Sequence, residues 1–421
     1  MLDTLRSAIK LPDLRQKIVF TLLMFLVFRL GAHIPVPGIN TEAVKDLLSQ
    51  GTIFGFFDII SGGAFRKVTV FAMGIMPYIN ASIIMQLLTV VVPYLERLAK
   101  EGEEGRKKIV QYTRYGTVVL GFIQASGMAV WISKQPGMLE NPGFSGIAVV
   151  AISLTAGTAF LMWLGELITE HGIGNGISLI IFAGIVSRVP AGVVRIFREV
   201  SAGETSIFGV LFFLIIALAV IGGIVAIQEG QRRIPVQYAK RVVGRRVYGG
   251  QSTHIPLKVN QAGVIPVIFA MSILMFPTTI ASWFPENGFA QWIMDVFNFR
   301  SIPYMIMYAM LIIFFTYFYT AVTFNPQDVA ENMKKHGGFI PGLRPGRPTS
   351  DYIDRVLSRV TLAGAIFLVF IALLPNVVMA TTGLNVYFGG TGLLIVVGVA
   401  LETMKQLESQ LLMRHYQGFM K

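Results

Sequence analysis

The chain has 421 residues, 54% of them hydrophobic, and its 43 glycines raise the apolar share to about 64%, where soluble domains sit near 45–50%. Charged residues make up only 14%, and Lys+Arg exceed Asp+Glu by 35 to 23, a net charge of +12. A soluble globule of that balance would expose large apolar patches, so a water-soluble enzyme is excluded and the chain reads as an integral membrane protein.

Residues 1–17 form a polar, amphipathic start without the short apolar core and cleavage site of a removable signal peptide, and they are expected to remain as a cytoplasmic segment. Apolar runs long enough to cross about 30 Å of hydrocarbon then recur ten times. Spans one to five are expected at 18–36, 71–92, 112–132, 147–168 and 173–193, within a first half at 18–200. Spans six to ten are expected at 207–227, 262–283, 302–324, 360–379 and 388–406, within a second half at 201–408, followed by a tail at 409–421. Five is odd, so a duplicated half would enter the membrane upside down, as inverted repeats do. The halves share no visible sequence similarity, and the repeat is an expectation of geometry.

Of the 35 basic residues, 26 fall with the N-terminus and the even-numbered turns and 8 on the opposite side, which places both termini and the long loops in the cytoplasm. The short turn after span four, which has none, and Arg188, Arg195 and Arg198 toward and past the outer end of span five run against this pattern. Arg29 lies inside span one, where a guanidinium needs a partner, and reads as structural.

Gly74 and Pro77 interrupt span two, Gly172, Gly174 and Gly176 open span five, and Gly263 and Pro266 interrupt span seven. Singly, each glycine suits close helix packing. Their repetition near span starts favours irregular backbone that lines a cavity. The stretch 54–65 is apolar but too short to span, and its residues leave two readings open: a re-entrant segment, or an interfacial helix with Asp58 in headgroup water.

Catalytic signatures are missing. Gly172, Gly174 and Gly176 imitate a dinucleotide fingerprint, but Ile177 stands at its last position, no strand precedes it, and no P-loop or metalloprotease motif occurs. With no cysteine and five histidines the metal options are few, and no cofactor is expected.

Several segments carry a resemblance to a known family: Phe-Arg-Leu-Gly at 28–31, Gly-Ile-Met-Pro-Tyr-Ile-Asn-Ala-Ser at 74–82, and the stretches 101–116 and 172–185. Gln-Arg-Arg at 231–233, the stretches 251–266 and 339–346, and Tyr-Phe-Gly-Gly-Thr at 387–391 continue it. Together they resemble the SecY family of bacterial protein-conducting channels; 135–145 and 285–301 do not match. The resemblance implies an all-α membrane protein with ten transmembrane helices in two inverted five-helix halves around an hourglass pore. It implies the channel subunit of a Sec translocon, passing unfolded secretory proteins across the membrane and releasing transmembrane segments sideways through a lateral gate. Such a subunit is no enzyme. The implied partners are SecE and SecG, the SecA motor ATPase or a translating ribosome, substrates with signal sequences, and membrane lipids, in the plasma (inner) membrane.

Residue by residue, the resemblance assigns a pore ring to Ile75, Ile79, Ile177, Ile181, Ile268 and Ile395. Spacing alone says only that Ile75 and Ile79, and Ile177 and Ile181, share helix faces, as ordinary packing residues also do. A plug is assigned to 54–66, with Phe57, Asp58, Ile59, Ile60, Ser61, Gly62 and Gly63 at its centre. Gln86 and Asn260, amides near membrane depth, would form a weak polar contact across the lateral gate. The basic loops at 229–259 and 325–358 would dock the motor or ribosome through Arg232, Arg233, Lys240, Arg241, Arg245, Arg246 and Arg344. The alternative, a secondary transporter with broken helices, normally carries mid-membrane ionisable groups, and the centres of spans two, three, seven, eight and nine have none.

Overall fold

A computed structural model describes residues 10–40, 63–65, 67–135, 137–203, 206–238, 241–243, 246–248, 252–282, 284, 287–298, 301–382 and 390–418. Each expected span holds a helix. The first half contributes α1 (Pro12–Gly31), α2 (Met76–Val91), α3 (Pro93–Lys100), α4 (Glu103–Lys134), α5 (Phe144–His171), α6 (Gly176–Val186) and α7 (Val189–Ser201). The second contributes α8 (Ile207–Glu229), α9 (Ile265–Ser282), α10 (Gly288–Val296), α11 (Ile302–Thr323), α12 (Pro326–Lys335), α13 (Arg347–Thr382) and α14 (Gly390–Gly418). Five strands lie between them: β1 (Gln231–Tyr238), β2 (Arg241–Val243), β3 (Arg246–Tyr248), β4 (Ser252–Lys258) and β5 (Gly338–Phe339). Among the described residues, 6 helices are long and apolar enough to cross a membrane, or up to 7 when the bent pair α2 and α3 counts as one.

The packing order displays the repeat that the sequence hides. In the first half span one (α1) packs on spans four and five (α5, α6), two (α2) on three (α4), three on four, and four on five. In the second half span six (α8) packs on nine and ten (α13, α14), seven (α9) on eight (α11), eight on nine, and nine on ten. Each of these pairs recurs five spans later, while a lighter contact of span two with span four has no equally strong counterpart among the described residues. The halves meet where span two packs on seven and where span five packs on ten, again equivalent members.

Lipid offers no hydrophobic drive between helices, so close approach has to supply the adhesion. On α4 a buried stripe of Thr113, Thr117, Gly121, Ala125 and Ala129, four residues apart, meets α5. Backbone comes so close at Gly157 that a Cβ there would lie 1.9 Å from the Val70 carbonyl oxygen. Thr113 and Thr117 lose no hydrogen bonds by facing this seam, because their hydroxyls donate to the carbonyls of Ile109 and Thr113 at 2.9 and 2.7 Å. Ion pairs tie helices at their ends: Arg114 to Glu166 joins α4 to α5 at 2.8 Å, and Lys405 to Glu229 joins α14 to α8 at 2.8 Å.

Three span expectations need correction. Span one starts earlier and ends earlier than 18–36, because Asp13, Arg15 and Lys17 sit on an aqueous helical turn that a hydropathy reading treats as loop. Span two becomes helical only at Met76, after a run of turns. Span five is interrupted at Ser187 and Arg188, just ahead of Pro190, which has no N–H to donate to the Val186 carbonyl. Arg29 has its place at the end of α1. It occupies the exposed last turn of α1, where a cation suits the helix dipole, and donates to Ser187 Oγ at 3.3 Å.

Candidate functional site

The three sets of glycines resolve into one device. Gly74 (φ 58°), Gly174 (φ 88°) and Gly263 (φ 65°) take left-handed backbone that favours glycine, and each stands two residues before its helix begins, at Met76, Gly176 and Ile265. Pro77 and Pro266 fall in the first turns that follow, where proline's missing N–H costs no helical bond. Asn175 caps α6, its Oδ1 accepting from the Ile177 and Ser178 amides at 3.1 and 3.3 Å. Spans two, five and seven therefore start from sharp turns.

From these starts the side chains converge. Ile79 on α2, Ile181 on α6, Ile268 on α9 and Ile395 on α14 line one narrow cavity, together with Met76, Val267, Met271 and Ser272. All four helices belong to the two seams that join the halves. Ile79, Ile181 and Ile395 are buried and Ile268 half-buried. The other two expected ring members stand off the cavity wall. Ile75 is buried just before α2 begins, and Ile177 turns toward α5, where a Cβ on Gly165 would lie 2.5 Å from its Cδ1. The lining residues that sequence reasoning missed carried a signal: Val267 and Met271, and Ile268 and Ser272, repeat at i and i+4 on α9. Ser272 is the one polar lining group, and its buried Oγ has no hydrogen-bond partner among the described residues.

Of the expected plug, Phe57, Asp58, Ile59, Ile60, Ser61 and Gly62 lie outside the described residues. Gly63 is described, with φ 90° and the Arg188 guanidinium 3.8 Å from where a Cβ would stand. Ala64 and Phe65 are buried behind it. Val68 follows at φ 40°, a strained conformation for a β-branched residue, held by its carbonyl accepting from the Val36 amide at 3.1 Å.

Gln86 lies half-buried on α2, which packs on α9, but no hydrogen bond joins it to Asn260 among the described residues. Asn260 instead donates through Nδ2 to the Gly263 carbonyl at 2.9 Å, bracing the turn that starts span seven, and its buried Oδ1 has no hydrogen-bond partner among the described residues. The hydrogen bond that Asn260 does make is local to the turn that starts span seven.

The two basic loops form a single platform. β1 pairs antiparallel with β4 from Gln231↔Lys258 to Gln237↔Ser252, and β5 from the other loop adds to β1 at Gln237↔Phe339. Beneath the sheet, Ile234, Val236 and Leu257 pack with Met333, Ile340, Ile353 and Leu357. Arg232, Arg233 and Arg344 are exposed on the platform. Arg241 and Arg246 sit in the short β2–β3 pair, and Lys240 and Arg245 lie outside the described residues.

The SecY family profile matches residues 69–404. The chain belongs to the SecY family. It is 53% identical to the protein translocase subunit SecY of Halalkalibacterium halodurans, covering 100% of both chains. It is 48% identical to SecY of Escherichia coli K12, covering 98% of this chain and 95% of that one. A solved protein-conducting channel superposes with TM-score 0.64 at 19% identity, covering 94% of this chain and 92% of that one. Sec61 from the canine ribosome-channel complex of the endoplasmic reticulum gives TM-score 0.62 at 19% identity over 94% and 92%. The SecY fold thus has the multi-pass helical architecture that the apolar runs implied.

Proposed function

We infer that the chain is the protein-conducting channel subunit of a membrane translocase. The observation that carries the reading is the meeting of Ile79, Ile181, Ile268 and Ile395 from both halves around one cavity. Branched aliphatic side chains there exclude water and ions when closed, yet offer no hydrogen bonds that would hold a passing chain. A solute transporter would place ligating or ionisable groups at such a cavity; among the described residues the one polar side chain in this lining is Ser272.

Finer assignments follow as proposals. Ile75 and Ile177 back the ring, and residues 57–63 plug the channel opposite the platform. Spans two and seven part as a lateral gate, with Gln86 and Asn260 on its edges. Arg232, Arg233, Lys240, Arg241, Arg245, Arg246 and Arg344 dock an acidic motor surface or ribosomal RNA phosphates. Energy then comes from that partner, SecA or a translating ribosome, in a complex with SecE and SecG. The positive-inside balance supports a plasma-membrane protein with both termini and the platform in the cytoplasm. The domain division stays at 1–17, 18–200, 201–408 and 409–421.

The chain has no cysteine, so a Cys introduced at one site is the only thiol in this subunit. Ile79→Cys, Ile181→Cys, Ile268→Cys and Ile395→Cys are each expected to form a disulfide with a single Cys in a secretory protein stalled in transit. Val118→Cys and Leu214→Cys, at exposed positions on α4 and α8, are expected to stay unlinked. Equal linking at ring and control positions would show that the substrate passes elsewhere.

A further inference from the structure

Span seven is followed almost at once by α10, nine residues long and packed on α9. Because α9 begins at the platform side and crosses the bundle, α10 lies at the opposite membrane face. Its inner arc holds buried Ala290 and half-buried Ile293, Met294 and Phe297. At about 100° per residue the remaining arc divides in two. Phe289 (67% exposed) and Trp292 (57% exposed) occupy one flank, their rings stacked with centroids 5.9 Å apart. Gln291 and Asp295 occupy the other and are also exposed.

The aromatic flank continues an existing apolar band. Phe276, Ile280 and Phe284 are exposed on and just past α9, and Ile302, Ile306 and Met310 on α11, where a membrane-spanning bundle meets acyl chains. An aromatic pair placed between such a band and a polar flank has the chemistry of the membrane–water interface, where amphipathic rings settle. The first half holds the inverted counterpart. α3 follows span two at a 98° bend, with Leu95 and Leu98 buried, Tyr94 exposed, and Glu96, Arg97 and Lys100 beside it.

We propose that α10 is a lipid-binding foot of span seven, with Phe289 and Trp292 at the headgroup–acyl boundary of the leaflet opposite the platform and Gln291 and Asp295 turned to water. The inference rests on membrane placement and not on the gate reading. The foot ties the far end of span seven to the leaflet, so movement at the span two–seven seam works against lipid packing.

The test uses the full-length chain in nanodiscs of phosphatidylcholine and phosphatidylglycerol, with Phe289→Cys or Gln291→Cys carrying an environment-sensitive fluorophore. Nitroxide lipids labelled near the headgroup are expected to quench the probe at 289 about twofold more than lipids labelled at the acyl terminus. Aqueous iodide is expected to quench the probe at 291 and to spare the one at 289. Iodide quenching of both without a nitroxide effect would place α10 in water and overturn the proposal. Shielding of position 289 from both quenchers would mean that protein covers it, which also overturns it.

Discussion

The constriction and the platform are each assembled from distant stretches of chain, and they are held together by opposite means. Around the cavity, four isoleucines arrive from four helices and line it with side chains alone. In the platform, the β1–β4 ladder, the added strand β5 and a buried apolar layer fix the same backbone from several directions. Parting the isoleucines loses dispersion contacts, each worth only tenths of a kcal/mol (~0.1–0.2), and breaks no backbone hydrogen bond. Deforming the platform breaks a ladder. A channel that must widen around varied chains needs the first kind of construction, and the docking proposed for the platform would be served by the second.

The contrast breaks most severely at Leu257, fully buried at the centre of the platform core. Leu257→Ala is expected to cost about 2–5 kcal/mol of local stability. Limited proteolysis is expected to open the loop at 231–258 while the helices stay intact, and partner-driven export is expected to fall with it. Unaltered cleavage would mean that the strands do not depend on their apolar layer.

At the constriction the matching experiment is Ile79→Asn. An amide buried without a partner costs about 1–3 kcal/mol, which lowers the preference for the closed state by roughly five- to 140-fold. Planar-bilayer recordings are expected to show raised ion leakage of the resting channel, with the protein still folded and assembled. A silent recording would show that the seal lies elsewhere along the pore.

Arg344→Glu sharpens the comparison from the platform's surface. The side chain is exposed, so stability is expected to change by no more than about 0.5 kcal/mol. Partner affinity is expected to weaken about tenfold, and more at low salt, since charge reversal at an exposed contact acts through electrostatic attraction. Binding that is indifferent to both charge and salt would remove Arg344 from the docking surface.

The spans were legible because membrane length and apolar content leave few other readings of runs near 20 residues. Their ends were not, since Asp13, Arg15 and Lys17 continue α1 into water and the left-handed turn at Gly74 delays α2. Of the six isoleucines the family resemblance singled out, four line one cavity, whereas Ile75 precedes α2 and Ile177 turns toward α5. The duplicated architecture was legible only from the odd span count and the family resemblance, because equivalent spans share contact partners and not residues. Neither could the platform core, which pairs Leu257 with Met333 across an intervening pair of spans. Periodicity reports which side of a strand is apolar and is silent on the partner strand.

The smallest effect is expected where the two half-related feet touch water. On α3 the Glu96 carboxylate accepts from Lys100 Nζ at 2.7 Å, with the acid four residues ahead of the base, the favourable order on a helix. The Lys100 ammonium holds the Glu96 carboxyl below its usual range, first through that hydrogen bond and then through its charge. A carboxyl lowered in this way supports the folded helix above its ordinary pKa and loses that support as pH falls through the lowered value. Both side chains are solvated, so the contribution is slight and screened by salt. Glu96→Gln at neutral pH is therefore expected to raise amide exchange at Lys100 and Glu101, in the last turn of α3, by no more than about twofold, and 1 M salt is expected to erase the difference. A larger change that survives salt would show that α3 is held by this pair and not by Leu95 and Leu98 beneath it.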